Sequence, residues 1–544
     1  MFNLIKKISN KSISLVYFNF FLAIWLGLFL NYSFYKKLYI LTPYQGFDVV
    51  LFIAASILIV IAAYNLIFQF INWKVNAKFF AYFLIILGGF CAYFVNNLGV
   101  VVNSDQVQNI LETDLKESKD LMSVSLIFWS AFFVIIPVIL VSFLKIKRET
   151  IKKNLVHKLI SSLISIALIG GLLFVFYIDY AAIFRENRDL KGLVSPQNAI
   201  GATYSYIKHK MPEKNVPFQA YGRDAKIVNT KNQAKIMVLV IGETARAQSF
   251  SLNGYAKNTN PELSQLDIIN FKQVSSCGTS TAISVPCIFS GMTRADYEEK
   301  IAKNRENLLD IAQRAGYKVT WIENNSGCKD VCNRVENYQF PEEIKKKWCN
   351  AENECFDEIL VDSLKAYLKT IPENDTTPRL IVLHQMGSHG PAYFKRVPKE
   401  FKKFQPMCDT NAIQGCSSEQ LINTYDNTIL YTDHVLARLI QTLKEKSDRE
   451  VGFWYVSDHG ESTGEQGLFL HSAPYAFAPQ QQTHVPMLMW FSDQWKQQQP
   501  QQIECLMQQQ NANLSHDQLF PTLLTMLNIK TEVIDNKVKI NCVN

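Results

Sequence analysis

The sequence contains no CxxC pair and no HxxxH spacing, which argues against a set of zinc knuckles. It contains no internal repeat, which excludes solenoid and propeller architectures. No small-residue cleavage site follows the first apolar stretch, and that stretch is too long for a signal peptide. The formal net charge is only +7. Much of it falls in loops between apolar segments, so no nucleic-acid partner is expected. Cysteine is nearly absent from the first half: Cys91 stands alone there, and all the others lie beyond residue 276.

What the first part has instead is apolar length. A spanning helix needs about 20 predominantly apolar residues. Five segments supply them, at 14–34, 49–71, 79–102, 121–144 and 159–180. Lys6, Lys7 and Lys11 precede the first, and Lys74 and Lys78 lie between the second and third. Lys145, Lys147, Arg148, Lys152, Lys153 and Lys158 crowd the fourth connection, whereas the third, 103–120, is net acidic. Only Lys36 and Lys37 fall on the opposite side. Basic loops stay in the cytoplasm, so the N-terminus is expected there and, after five spans, the C-terminal part outside the inner membrane. The organisation predicted is a membrane domain at 1–180, a linker at 181–232 carrying a membrane-proximal helix at 198–210, and a catalytic domain at 233–544.

The even cysteine count beyond the spans fits an oxidising compartment. The close pairs are Cys277 with Cys287, Cys328 with Cys332, Cys349 with Cys355, and Cys408 with Cys416. Cys505 and Cys542 remain and could pair by exclusion.

From residue 234 onward, strand-like runs alternate with helix-like ones such as 305–315, 355–369 and 418–446. That alternation predicts an α/β domain with a mostly parallel central sheet. The Gln-rich stretch 494–510 reads as a surface insertion. Four apolar runs, 236–241, 319–322, 380–383 and 451–456, each end in polar residues. Ligands of such sheets bind beyond the carboxyl ends of the strands. Glu243, Asp458 and His459 are donors suited to zinc, and the oxygen of Thr281 would complete four-coordination. His389, His471 and His484 could hold a second metal or donate to phosphate oxygens, and Asn325 and Lys329 could do the latter. Around Thr281, several hydroxyl residues precede a helix-compatible run. A hydroxyl at a helix N-terminus beside a metal is a usable nucleophile, though an ordinary N-cap reads the same way. In the acidic loop, Asn109, Thr113 and Glu117 are spaced to share one face of a helix. That face would either meet solvent or bind a polar headgroup.

These motifs resemble those of the lipid A phosphoethanolamine transferases, a group that includes the mobile colistin-resistance enzymes, within the alkaline phosphatase superfamily. The matching stretches are Gly242-Glu243-Thr244-Ala245-Arg246, Cys277-Gly278-Thr279-Ser280-Thr281, Glu323-Asn324-Asn325-Ser326, His384-Gln385-Met386-Gly387-Ser388-His389-Gly390 and Ser457-Asp458-His459-Gly460-Glu461-Ser462. The resemblance implies Thr281 as a nucleophile that carries phosphoethanolamine. It implies Glu243, Asp458 and His459 as ligands of one tightly bound zinc, with or without a second ion in turnover. It implies Asn325, Ser326, Lys329, His389 and His471 around the substrate, and Asn109, Thr113 and Glu117 at the headgroup. The implied donor is phosphatidylethanolamine and the acceptor a phosphate of lipid A, on a monomer embedded in membrane lipid, with polymyxin and colistin resistance as the consequence. A core-sugar acceptor, glycerol-phosphate transfer and a non-catalytic binding module are the alternatives. Gln248 and Ser388 depart from common family residues, which bears on substrate preference rather than chemistry.

Overall fold

The computed structural model describes residues 12–113, 115–209, 217–228, 235–446, 449–540 and 542. Lys6, Lys7, Lys11 and the last residue of the expected 198–210 helix lie outside these. The chain divides into two compact units. One comprises Met1–Val107 and Ser123–His209, the other Gln108–Met122 and Lys210–Asn544.

In the first unit, helices α3 (Phe47–Ile71), α4 (Ala77–Leu98), α7 (Val124–Phe143) and α8 (Ile151–Val175) are each long and apolar enough to cross a membrane. The expected first span is not one helix. It is a pair, α1 (Leu15–Phe29) and α2 (Tyr32–Leu41), bent by 56°, which brings the spans to five if the pair counts as one. The bend has a side-chain cause. Asn31 Nδ2 donates to the Leu26 carbonyl (2.8 Å) and to Ser195 O (3.1 Å), competing with the helix ladder. Buried amides tie the bundle together: Asn72 donates to Asn19, Asn19 to Gln69, Gln69 to Asn65, and Asn65 to Ser161 and Ser165. The expected helix at 198–210 forms as α9 (Gln197–His209).

The acidic loop carries two helices, α5 (Ser104–Glu112) and α6 (Leu115–Asp120), so Asn109, Thr113 and Glu117 do not share one helix as the spacing predicts. The Thr113 hydroxyl donates to Asn109 O (2.6 Å), the acceptor that a continuing helix would use for an N–H. The stretch from Gln108 onward belongs to the second unit.

That unit is built on a seven-stranded mixed sheet. Its strands are β1 (Ile236–Gly242), β2 (Ile269–Phe271), β3 (Lys318–Glu323), β4 (Glu336–Tyr338), β5 (Arg379–His384), β6 (Val451–Ser457) and β7 (Met487–Phe491), in the order β2-β7-β6-β1-β5-β3-β4. Strands β6, β1, β5, β3 and β4 run parallel, and β7 and β2 close one edge antiparallel. Every residue of β1, β5 and β6 is buried, as their unbroken apolar runs require of strands covered on both faces. Helices α10 (Thr281–Ser290), α11 (Glu358–Lys369) and α12 (Ser418–Lys444) flank the sheet. All five expected disulfides form. The Gln-rich stretch is not a surface insertion: Trp495, Ile503 and Leu506 lie in the main core, because apolar residues interrupt the glutamines at helical spacing.

Candidate active site

Strand register assembles the site. Gly242 of β1 pairs with Ser457 of β6, so the next residues, Glu243 and Asp458, emerge side by side. His384 ends β5 opposite both Ile241 and Glu323. Two glycines let the strand-end loops close over this corner. A Cβ on Gly387, whose φ is +52°, would stand 2.6 Å from Glu243 O, and one on Gly460 would stand 2.0 Å from Gln481 O. Thr244 also has a left-handed φ of 52°, backbone strain of a kind concentrated at functional sites.

Thr281 is the first residue of α10. Its hydroxyl lies 3.2 and 3.1 Å from the two Glu243 oxygens and 3.4 Å from His459 Nε2. His459 Nε2 is 3.4 Å from both Glu243 Oε1 and Asp458 Oδ2. Glu243, Asp458 and His459 form a buried cluster able to hold a metal ion, and all three are 0 % exposed. Burial pushes the Asp458 carboxyl up to about 7, and the charge of Glu243 adds to this. Burial also works against charge on His459, yet Asp458 and Glu243 outweigh it and push the imidazole up to about 10. Burial likewise opposes charge on Glu243, but the hydrogen bond and charge of His459 hold that carboxyl below the usual range. Asp458 Oδ2, though buried, accepts no hydrogen bond. Such a crowd of charge is costly unless a cation sits within it.

The loop before Thr281 is anchored by a residue the sequence did not single out. Cys277 N–H donates to His516 Nδ1 (3.0 Å), and His516 Nε2 bonds Ser457 O (2.9 Å). This single imidazole links the loop before Thr281 to the end of β6. Burial pushes its pKa down to about 4, so it bridges in the neutral form. The Cys277–Cys287 disulfide pins the loop to the first turns of α10.

A family model described as "Phosphoethanolamine transferase EptA/EptB" matches residues 60–211, and one described as "Sulfatase" matches 235–529. Phosphoethanolamine transferase EptA of Escherichia coli K12 is 36% identical over 531 residues, 96% of each chain. Phosphatidylethanolamine transferase Mcr-1 of Escherichia coli is 36% identical over 469 residues, 84% of each. The integral membrane lipooligosaccharide phosphoethanolamine transferase A of Neisseria meningitidis superposes with a TM-score of 0.91 at 35% identity, covering 97% of this chain and 99% of that one.

The chain belongs to the phosphoethanolamine transferase family.

It is thus a multi-pass membrane enzyme with a sulfatase-like catalytic unit. Around the Glu243, Asp458 and His459 cluster of this transferase, the remaining candidate residues fall into distinct places. The His471 ring centroid lies 4.6 Å from that of His459, tilted by 45°, and 5.8 Å from that of His389, edge-on. Its Nδ1 lies 3.2 Å from buried Glu461, which fixes the ring. Asn325, Ser326 and His389 line a cavity of about 280 Å³ together with Glu354 and Arg396. Ser326 also borders a second cavity, of about 490 Å³, with Lys329, Lys303 and Glu112. Lys329 Nζ reaches Ser326 Oγ at 3.3 Å. His484 is engaged elsewhere, by Gln248 and the Lys272 carbonyl. Gln248 therefore shapes a loop, and Ser388 accepts from Thr428 (2.7 Å) behind the site.

The segment of Asn109 and Thr113 joins the catalytic unit through Gln108, which donates to Glu299 (2.6 Å), and through buried Asp120. Asp120 pairs with Lys395 Nζ (2.6 Å) and with Arg396. Arg396 Nε in turn donates to His389 O (3.1 Å). One acidic residue between two spans thus leads, through one guanidinium, to a histidine of the site. The isolated Asp120 in an acidic loop carries no sequence signal for this.

Proposed function

We propose that this transferase moves phosphoethanolamine from phosphatidylethanolamine to a phosphate of lipid A, in two steps through Thr281. The observation that supports the reading is the Thr281 hydroxyl at the head of α10, within 3.4 Å of Glu243 and His459. In the first step Thr281 Oγ1 bonds to the donor phosphorus and the bond to diacylglycerol oxygen breaks. The hydroxyl proton leaves on the side facing Glu243, and the diacylglycerol oxygen takes up a proton. In the second step a lipid A phosphate oxygen bonds to the same phosphorus and Thr281 Oγ1 departs, recovering its proton. Attack and departure are in line.

The donor set supports zinc as the cation, with Glu243, Asp458 and His459 offering ligand atoms within 4.8 Å of one another. Ligands about 2.0–2.1 Å from a tetrahedral zinc stand about 3.3–3.4 Å apart, and the separations between Thr281, Glu243, Asp458 and His459 given above run from 3.1 to 3.4 Å. Bound there, zinc would supply positive charge that favours the Thr281 alkoxide and the developing charge on phosphorus. His389, His471 and Lys329 would stabilise the phosphoryl oxygens, and Asn109, Thr113 and Glu117 would receive the headgroup. Residues 1–180 serve as anchor and 233–544 as catalyst, linked by 181–232, with the N-terminus cytoplasmic and the catalytic part periplasmic in the inner membrane. Added ammonium groups reduce the attraction of lipid A for cationic polymyxin and colistin. Lipid A from cells expressing the wild type should carry phosphoethanolamine by mass spectrometry, and lipid A from Thr281→Ala cells should not. An equal adduct in both would refute the assignment.

A further inference from the structure

Beside Glu243 lies a line of groups, from buried Trp321 and His384 to half-buried Glu323 and Asn325, that the transfer steps do not use. Trp321 Nε1 donates to Glu323 Oε2 (2.8 Å), and His384 Nδ1 lies 3.0 Å from the same oxygen. The Asn325 backbone N–H donates to Glu323 Oε1 (2.6 Å). His384 is 0 % exposed. Its other nitrogen, Nε2, meets Asn325 Nδ2 at 3.2 Å. Asn325 Nδ2 also donates to Glu243 Oε2 (2.6 Å) and to the Gln385 carbonyl (2.9 Å).

Donor and acceptor roles fix the proton positions. A carboxylate accepts only, so His384 presents Nδ1–H to Glu323 and keeps a lone pair on Nε2. The two Asn325 amide hydrogens point to the nearer Glu243 Oε2 and Gln385 carbonyl, and the Nε2 lone pair, at 3.2 Å, shares one of them. The Asn325 carbonyl is held from the other end, since Oδ1 accepts from Ser326 N–H (2.7 Å). The amide therefore has one orientation, with its NH2 toward Glu243. Glu323 and His384 are direct cross-strand partners, so rigid strands carry the arrangement. A carboxylate that orients a histidine is a common support behind metal ligands. Here the support is one step longer and passes through an amide.

We propose that Glu323, His384 and Asn325 are positioning residues that orient the Glu243 carboxylate for cation binding, with Asn325 acting on Glu243 rather than on substrate. This rests on the reading of Glu243, Asp458 and His459 as a zinc site. The test uses the full-length protein in detergent, titrated with zinc against a chromophoric chelator, and assayed for diacylglycerol release over a range of zinc and phosphatidylethanolamine concentrations.

In Glu323→Gln only one oxygen remains for the three donors, so one of them faces an NH2 group. In Asn325→Ala the donor to Glu243 is gone, at a half-buried loop position that does not test the core. Both variants should bind zinc about 10- to 100-fold more weakly. Excess zinc should restore kcat, with KM for phosphatidylethanolamine unchanged. Asn325→Asp, which sets a carboxylate against Glu243, should be weaker still. Zinc affinity within twofold of wild type in Asn325→Ala overturns the proposal. So does a raised KM at unchanged affinity, or a loss that excess zinc does not restore. A wild type that binds no zinc would instead overturn the underlying site.

Discussion

In the membrane unit a chain of neutral amides links the helices, with one cation, buried Lys158, donating to the Asn72 backbone carbonyl. Asn19, Asn65, Gln69 and Asn72 are buried and bonded to one another. In the catalytic unit Glu243, Asp458 and His459 are buried as deeply but are ionisable, and one carboxylate oxygen has no donor. Neutral amides cost little to bury once their bonds are closed within the bundle. Charges remain costly until a counter-charge arrives. The amide chain therefore leaves only a neutral acceptor, Asn72 Oδ1, without a donor, whereas the catalytic cluster gathers ionisable groups that a cation would neutralise.

Substitutions should separate the two kinds of burial. The largest effect is expected for Asp458→Asn, which removes an anionic ligand. Zinc content should fall to background and diacylglycerol release by at least about 100-fold, since even outer support residues cost up to that much. Retained zinc would break the contrast. Chelation of the wild type comes next. A ligand present at about 1,000 times its Kd stabilises by about 4 kcal/mol, so melting temperature should drop on chelation, and it should not drop in Asp458→Asn. Asp120→Asn follows. Although the residue lies between two spans, it belongs to the catalytic unit and neutralises Lys395 and Arg396. Leaving Arg396 with only Glu354, at 3.5 Å, as its ionic partner should cost up to about 3 kcal/mol and lower kcat by loosening His389, as denaturation and steady-state assays would show.

His516 gives a smaller, pH-dependent signature. Its folded pKa, about 4, lies below the usual value of 6.5. Between these values the unfolded chain binds more protons than the folded one, so stability falls as pH drops from about 6.5 to about 4. One such group contributes up to about 1.4 kcal/mol per pH unit. Subtracting the pH–stability curve of His516→Gln from that of the wild type should isolate this slope, and parallel curves would refute the neutral bridge. The smallest effect belongs to the membrane unit. Asn65→Leu should cost about 1 kcal/mol or less and leave zinc affinity and transfer unchanged, as measured by thermal denaturation and chelator competition.

The local parts of this picture were legible in the sequence, and the through-space parts were not. The four strand ends were visible as apolar runs meeting polar clusters, and the metal-ligand set followed from residue type. The run before Thr281 announced a helix start. Register was hidden, because a strand end does not say which strand lies beside it. Glu323 and His384 each stood first in a polar cluster, but their pairing depends on β3 lying next to β5. The cavity-lining place of Asn325 fits its position at a strand end, but the bond of its amide to Glu243 was hidden for the same reason. The bend between α1 and α2 was invisible to hydropathy, which counts Asn31 as one polar residue and not as a competitor for the Leu26 carbonyl. Spacing likewise placed Asn109, Thr113 and Glu117 on one helix, because periodicity does not show the break between Ser104–Glu112 and Leu115–Asp120.

The central claim is that the group being transferred rests on Thr281. Purified protein incubated with phosphatidylethanolamine and no acceptor, then digested and mapped by mass spectrometry, tests it directly. The account predicts diacylglycerol release together with a phosphoethanolamine adduct on Thr281, discharged when lipid A is added. Diacylglycerol release with no adduct, or with the adduct on another residue, would contradict it.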